Sequence, residues 1–214
     1  MTTRIINLTC LAISFVAFVL NLTANSSDHW WVALKRQEFE NVGLWQICFN
    51  HYRHRFDFYG KIYHGCWWVF SPEIRMLFSW ISQPWFQAVQ AFSTLSMVSM
   101  LFALIMTAVL AFSSELGKVS SRYILSTAIL TLTSGLFMAI SVITFAVRGK
   151  DRDWMPRWQQ NWYGWSYSVA VASCFLQVIA GAILLFEGTN MKLVKNYMEK
   201  MYIQRKRLFP PAPR

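Results

Sequence analysis

Charged side chains are scarce in this sequence. They make up 14% of its 214 residues, against 55% hydrophobic residues, and only ten of them are acidic. An ordinary soluble domain carries about a quarter charged residues. The scarcity therefore excludes an ordinary soluble domain and indicates a protein of the lipid bilayer.

Four long segments lack Asp, Glu, Lys, Arg and His altogether. Because about twenty apolar residues cross roughly 30 Å of hydrocarbon, each segment predicts a membrane-spanning helix. The predicted spans are residues 5–24, 85–112, 123–147 and 165–186. Charged groups inside spans usually mark ion passage or intramembrane chemistry, so their absence argues against a transporter or an enzyme. We predict no catalytic residue and no cofactor.

Small residues interrupt the apolar character of the last two spans. Ser134 and Gly135 predict a close approach between helices, and Ala170, Ser173, Gln177 and Gly181 fall near one helical face. A cleaved signal peptide is the alternative interpretation of the first span. It would need a small residue where Leu22 stands, so a retained helix is the prediction.

Positive charge lies in the loops and the tail. The net charge is +10, and residues 187–214 hold seven basic and two acidic side chains. Anionic lipid headgroups are the expected counterions, rather than nucleic acid. The dense tail favours cytoplasmic termini, with loops 25–84 and 148–164 outside the cell. We predict a four-span domain over residues 1–190 and a basic tail over 191–214 that is disordered beyond its first turns.

The first loop carries three short runs of aromatic and β-branched residues. They cover residues 30–34, 42–49 and 64–70, and charged or glycine-containing segments separate them. Such runs predict strands of an antiparallel sheet.

Cys48 and Cys66 are the only cysteines outside the apolar segments. If they pair, the disulfide closes a loop of about nineteen residues and contributes about 3 kcal/mol in the chain-entropy model. A disulfide requires an oxidising compartment, which favours an extracellular first loop.

Histidines and possible glycosylation sites also lie in and near this loop. All four histidines lie there, at positions 29, 51, 54 and 64, but their spacing suits no closed tetrahedral zinc site, so no metal is predicted. Asn21 and Asn25 match the glycosylation pattern at the exit of the first span, where a glycan has little room, and their modification stays open.

The ordered set of Trp30, Gly43-Leu44-Trp45, Cys48 and Cys66 in the first loop of a four-span chain resembles the claudin signature. It is similar, more distantly, to the peripheral myelin and epithelial membrane proteins and to the calcium-channel gamma subunits. Residues 86–91 and 163–165 also look like claudin positions, so the resemblance covers most of residues 1–190.

The resemblance implies a membrane α+β fold, in which a left-handed four-helix bundle carries an extracellular antiparallel sheet. It implies a disulfide between Cys48 and Cys66, with Trp30, Gly43, Leu44 and Trp45 anchoring the sheet. It also implies adhesion at lateral cell–cell junctions and polymerisation into barrier strands, with the same protein and other claudin-like proteins as partners. The exposed aromatic residues expected to meet those partners are Phe56, Phe58, Tyr59, Trp154 and Trp158.

Several departures from the claudin pattern shape the prediction. Arg214 replaces the hydrophobic terminal residue that many claudins present to a PDZ groove, so PDZ binding is not expected. Trp67 stands where a charge often sets pore polarity, which favours a barrier over a pore. Together with the long hairpin between the cysteines, these departures resemble a divergent invertebrate claudin of septate junctions. The alternative is an accessory subunit of a channel or receptor.

Overall fold

The computed structural model describes residues 2–33, 38–54, 60–112 and 120–208. Four helices in that part of the chain are long and apolar enough to cross a membrane. With one short helix, α2, they are α1 Thr2–Ser26, α2 Phe78–Ile81, α3 Pro84–Phe112, α4 Ser121–Arg148 and α5 Trp165–Leu208. Both α1 and α4 pack against α3 and α5, so the four long helices form a bundle.

The starts of α3 and α4 follow from local sequence. Pro84 is the first residue of α3, where its missing N–H would have no partner in any case. Ser120 precedes α4, and its side-chain oxygen accepts a hydrogen bond from the backbone N–H of Arg122. These signals set the helix starts within two residues of the predicted spans.

Small and polar residues form part of the interior of the bundle, beside large apolar ones such as Met100 and Leu184. Gln177 of α5 accepts a hydrogen bond from Ser134 of α4 at 2.7 Å and donates one to Ser173 at 2.9 Å. Ser173 in turn donates to the backbone oxygen of Ala17 in α1. A Cβ added to Gly181 would lie 2.7 Å from the Leu132 side chain, so α4 and α5 approach closely there. The predicted packing face of the fourth span is thereby confirmed.

The two asparagines at the end of α1 also lie inside the bundle. Asn21 Nδ2 donates to Ser96 Oγ at 3.0 Å, and Asn25 Nδ2 donates to Asn21 Oδ1 at 2.7 Å. Ser93 donates to Asn25 Oδ1. The amide nitrogens that would carry a glycan are therefore occupied within the protein.

A five-stranded antiparallel sheet stands at one end of the bundle. Its strands are β1 Trp31–Ala33, β2 Phe39–Val42, β3 Gln46–Arg53, β4 Ile62–Trp68 and β5 Asn161–Tyr163, in the spatial order β4-β3-β2-β1-β5. The predicted fold class is confirmed. The three predicted strand runs become β1, β3 and β4 with shifted bounds. β2 holds the polar residues Glu40 and Asn41 between Phe39 and Val42, and β5, from the second loop, is too short to show a period in sequence.

The prediction of a disordered tail was wrong as far as Leu208. Helix α5 runs without a break from Trp165 to that residue, past the boundary predicted at residue 190. Between Thr189 and Leu208 the chain has neither proline nor glycine and is rich in Lys, Met, Glu, Gln and Arg, which favour helix. The helix propensity of these residues continues the helix beyond the last span. Their polar composition alone had suggested disorder.

Candidate functional site: the sheet and its attachment to the bundle

Trp30 fastens the start of β1 to the top of the bundle. Its side chain is fully buried, and its Nε1 donates a hydrogen bond to the Ala24 carbonyl of α1 at 2.7 Å. The indole ring also lies edge-on to Phe145 of α4 and Tyr167 of α5, with centroid distances of 5.1 and 5.9 Å. One side chain therefore joins the sheet to three helices.

The Gly43-Leu44-Trp45 segment makes a second attachment. A Cβ on Gly43 would overlap the backbone oxygen of Ser27, so only glycine allows this turn to approach the end of α1. The Leu44 carbonyl accepts a hydrogen bond from Gln90 of α3 at 2.5 Å. Trp45 stacks on Trp68 with a centroid distance of 6.1 Å, and this contact couples β4 to the turn before β3.

Cys48 and Cys66 are joined by a disulfide in the structure. They are direct partners in the register of β3 and β4, so the disulfide crosses neighbouring strands. Asp28 lies beside them, and the three ligand atoms fall within 4.8 Å of one another. Since both sulfurs are spent in the disulfide, neither can offer the thiolate that a metal ion would need.

Two of the four histidines meet across the same strand pair. The rings of His51 and His64 have centroids 4.7 Å apart. His51 has a backbone φ of +56°, and the register of β3 against β4 shifts at this point, as in a β-bulge. A closed zinc site needs four ligands, and this pair of imidazoles supplies two, so the pair by itself does not make such a site.

Trp154 is not a contact tip, contrary to the prediction. Its side chain is 0% exposed, and Nε1 donates to the Ile81 carbonyl of α2 at 3.1 Å. Its ring packs edge-on against Trp85 and Phe145, at 4.8 and 5.8 Å. A buried indole with a satisfied N–H contributes a large apolar area to a core, and the second loop folds inward to provide it.

The other predicted contact residues have different outcomes. Trp158 is half-buried, and the Arg152 guanidinium lies over its ring at 5.4 Å. Phe56, Phe58 and Tyr59 lie outside the described residues. In and next to the described parts of the two loops, the exposed large apolar side chains that were not predicted as contacts include Ile62, Trp68, Phe70, Met76, Trp162 and Trp165.

The exposed apolar residues lie at the two edges of the sheet, which are called the β4 side and the β5 side. Met76, which is 55% exposed, belongs to the turn Pro72–Leu77. Lys61 Nζ donates to the Glu73 carbonyl of that turn at 3.1 Å, so the turn lies beside β4. On the opposite side, Trp162 of β5 is 61% exposed. Each outer strand of the described sheet therefore has an exposed apolar side chain on it or next to it.

Two described groups in this region have a shifted pKa. Burial, together with nearby Glu38, raises the pKa of Tyr52 to about 12, so its hydroxyl stays protonated at physiological pH. A hydrogen bond from the Ser71 hydroxyl lowers the pKa of the exposed Glu73 carboxyl. Tyr52 stacks on Phe49 and Trp80, which identifies it as a packing residue.

The arrangement is a disulfide-linked antiparallel sheet that is attached to four helices long and apolar enough to span a membrane. The family model described as PMP-22/EMP/MP20/Claudin tight junction matches residues 15–186. The chain therefore belongs to that family of multi-pass membrane proteins, which is structural rather than enzymatic. A sequence comparison with curated proteins finds no match.

Proposed function

We propose that this protein forms paracellular barrier strands at cell–cell junctions, by assembling through its two loops. The disulfide favours a sheet that faces the extracellular space, and the basic end of α5 favours cytoplasmic termini. With both termini inside, the two loops contribute to a single surface above the membrane.

The observation that carries the proposal is that strands from both loops form one sheet with two different apolar sides. β5 of the second loop pairs with β1 of the first, so the two sides are held at a fixed separation. Met76 marks the β4 side and Trp162 the β5 side. Two unlike surfaces that bind each other make a heterologous contact, which produces an open filament when the rotation between copies does not close.

The charges of the loops support a barrier. The first loop, from Trp31 to Ser79, has six basic and four acidic residues, and the second, from Arg148 to Asn161, has four and two. The net charge of each loop is thus +2, which is modest beside the screening of exposed charges over a Debye length of about 8 Å. A strongly selective pore would need a larger field of one sign.

The test is expression in cells that form no strands of their own, followed by imaging of contacts and freeze-fracture microscopy. The unmodified protein should concentrate at contacts and form strands. Met76→Lys and Trp162→Lys should each reach the surface and form none, because a desolvated ammonium opposes an apolar contact. Glu40→Lys is the control: it places the same cation at an exposed position of β2, in the middle of the sheet. This variant should still form barrier strands.

Mixing the two variants makes the test directional. A Met76→Lys copy keeps an intact β5 side, and a Trp162→Lys copy keeps an intact β4 side, so together they should form pairs that cannot extend. Strands made by either variant alone would contradict head-to-tail assembly. A uniform surface distribution of the unmodified protein, with a one-to-one complex recovered in mild detergent, would instead support an accessory subunit.

A further inference from the structure

A cavity of about 360 Å³ lies at the β5 side of the sheet and is lined mainly by residues of the second loop. Its size falls at the small end of the range for ligand pockets, about 300 to 1,000 Å³. The lining residues are Trp31, Lys150, Trp158, Gln159, Asn161, Trp162 and Tyr163. Four of the seven are aromatic, one is a cation and none is acidic.

Two residues of this lining each carry a buried polar atom that has no hydrogen-bond partner among the described residues. The two atoms are the donor Nε1 of Trp31, whose side chain is fully buried, and the acceptor Oδ1 of Asn161, which is 7% exposed. Asn161 Nδ2 donates to the Pro156 carbonyl at 3.0 Å, which leaves Oδ1 as the free end of that amide. An unpaired buried donor and acceptor are costly, so a native structure usually satisfies them with water or a ligand.

The strand register brings these two side chains to one face. Trp31 pairs with Tyr163, and Ala33 pairs with Asn161, so Trp31, Tyr163 and Asn161 lie on the same face of the sheet. The Trp31 and Tyr163 rings meet edge-on with centroids 4.9 Å apart. The residues that carry the unpaired donor and the unpaired acceptor therefore lie close together at the aromatic wall of the cavity.

Lys150 gives the cavity its charge. Its Nζ lies 5.2 Å from the centroid of the Tyr163 ring, and Arg152 lies over the ring of Trp158. A single hydroxyl group both donates and accepts hydrogen bonds, which matches the Asn161 Oδ1 and Trp31 Nε1 pair. An ammonium in a lining without carboxylates favours an anion.

From these features we propose that the cavity binds an acidic saccharide, a hydroxylated ring that carries a carboxylate. The aromatic side chains contact the ring's apolar C–H surfaces, a ring hydroxyl bridges Trp31 Nε1 and Asn161 Oδ1, and Lys150 pairs with the carboxylate. If the sheet faces the extracellular space, as the proposed function has it, uronic acid units of cell-surface polysaccharides can reach the cavity. The chemistry itself does not depend on strand formation.

The experiment titrates the purified full-length protein in detergent and follows tryptophan fluorescence, because the lining contains three tryptophans. Glucuronic acid and a disaccharide that contains it are the probes. Glucose has a comparable ring without the carboxylate, and cyclohexanecarboxylate has the carboxylate without the hydroxyls. Glucuronic acid should bind saturably, and both comparison compounds should bind about tenfold more weakly or worse.

Two variants locate the site. Lys150→Met should reduce glucuronic acid affinity about tenfold and remove its advantage over glucose. Trp158→Ala should weaken all saccharide binding. Lys61→Met is the matched control, since Lys61 Nζ lies 5.1 Å from the Tyr63 ring in the same kind of contact outside the cavity, and it should bind as the unmodified protein does.

Three results would overturn the proposal. They are no saturable signal with either saccharide acid, equal affinity for glucuronic acid and cyclohexanecarboxylate, and equal weakening by Lys61→Met and Lys150→Met. Binding is measured on purified protein and strands are observed in cells, so failure of this proposal and failure of the junction function are distinguishable.

Discussion

The place where the sheet meets the helices, called the sheet–bundle junction here, differs in packing from the interior of the bundle. In the rest of this section, junction means this contact within the molecule. The junction holds large aromatic side chains, among them Trp30, Trp154 and Phe145. The interior holds fewer aromatic side chains and more small and polar ones, such as Ser134 and Gln177, beside aliphatic residues. Lipid is as apolar as a leucine side chain, so helices within it gain little from burying large apolar groups and pack through close backbone approach. At the junction water is the competing solvent, and burial of aromatic area is strongly favourable.

Removing an aromatic side chain from the junction should produce the largest effect on stability. Trp154→Ala deletes a fully buried indole and leaves the Ile81 carbonyl without its donor, so we expect a loss of about 3 to 5 kcal/mol. The midpoint of unfolding in detergent measures it. Trp162→Ala, which removes an exposed indole, should change stability by no more than about 0.5 kcal/mol. Equal effects of the two substitutions would mean that Trp154 is not buried in the protein.

The disulfide should come next in magnitude. Replacing Cys48 and Cys66 by alanine together should destabilise the sheet by about 3 kcal/mol, because the unfolded loop regains its freedom. Limited proteolysis of the first loop is the measurement. Cys174→Ala, which alters a free cysteine in α5, serves as the control. A non-reducing peptide map without a linked Cys48–Cys66 peptide would contradict the assignment.

The interior of the bundle should be the most tolerant. Gln177→Leu removes two short hydrogen bonds, yet the single hydroxyl hydrogen of Ser134 can then go to the Ser96 carbonyl at 2.8 Å, and Ser173 still donates to the Ala17 carbonyl. We expect a loss of about 1 kcal/mol or less in the same unfolding measurement. The control is Phe175→Ala, which removes an exposed side chain of α5. A loss as large as that of Trp154→Ala would remove the contrast between junction and interior.

The candidate site was predictable where a single residue must sit against the backbone. Trp30 and Gly43 were both named as attachment residues before the structure was known. In the structure, Trp30 Nε1 donates a hydrogen bond to the Ala24 carbonyl of α1, and only glycine fits at position 43 beside Ser27. The prediction for Trp154 was wrong because the sequence around an aromatic residue in a charged loop does not show whether its side chain points to water or to a core. The Trp31 and Asn161 pair could not be found, since the two lie 130 positions apart and meet only through the pairing of β1 with β5.

The sequence by itself determined the four spans, because the absence of charge over a bilayer's thickness is a property of consecutive residues. The attachment points of the first loop were indicated by the resemblance of its motif to the claudin signature, and not by any local rule of the sequence. Only the tertiary structure decided that a strand of the second loop completes the sheet of the first, that Trp154 points inward, and that Asn21 and Asn25 lie within the bundle. Those outcomes depend on which distant surfaces exclude water or lipid from each other, and neighbouring residues do not encode that.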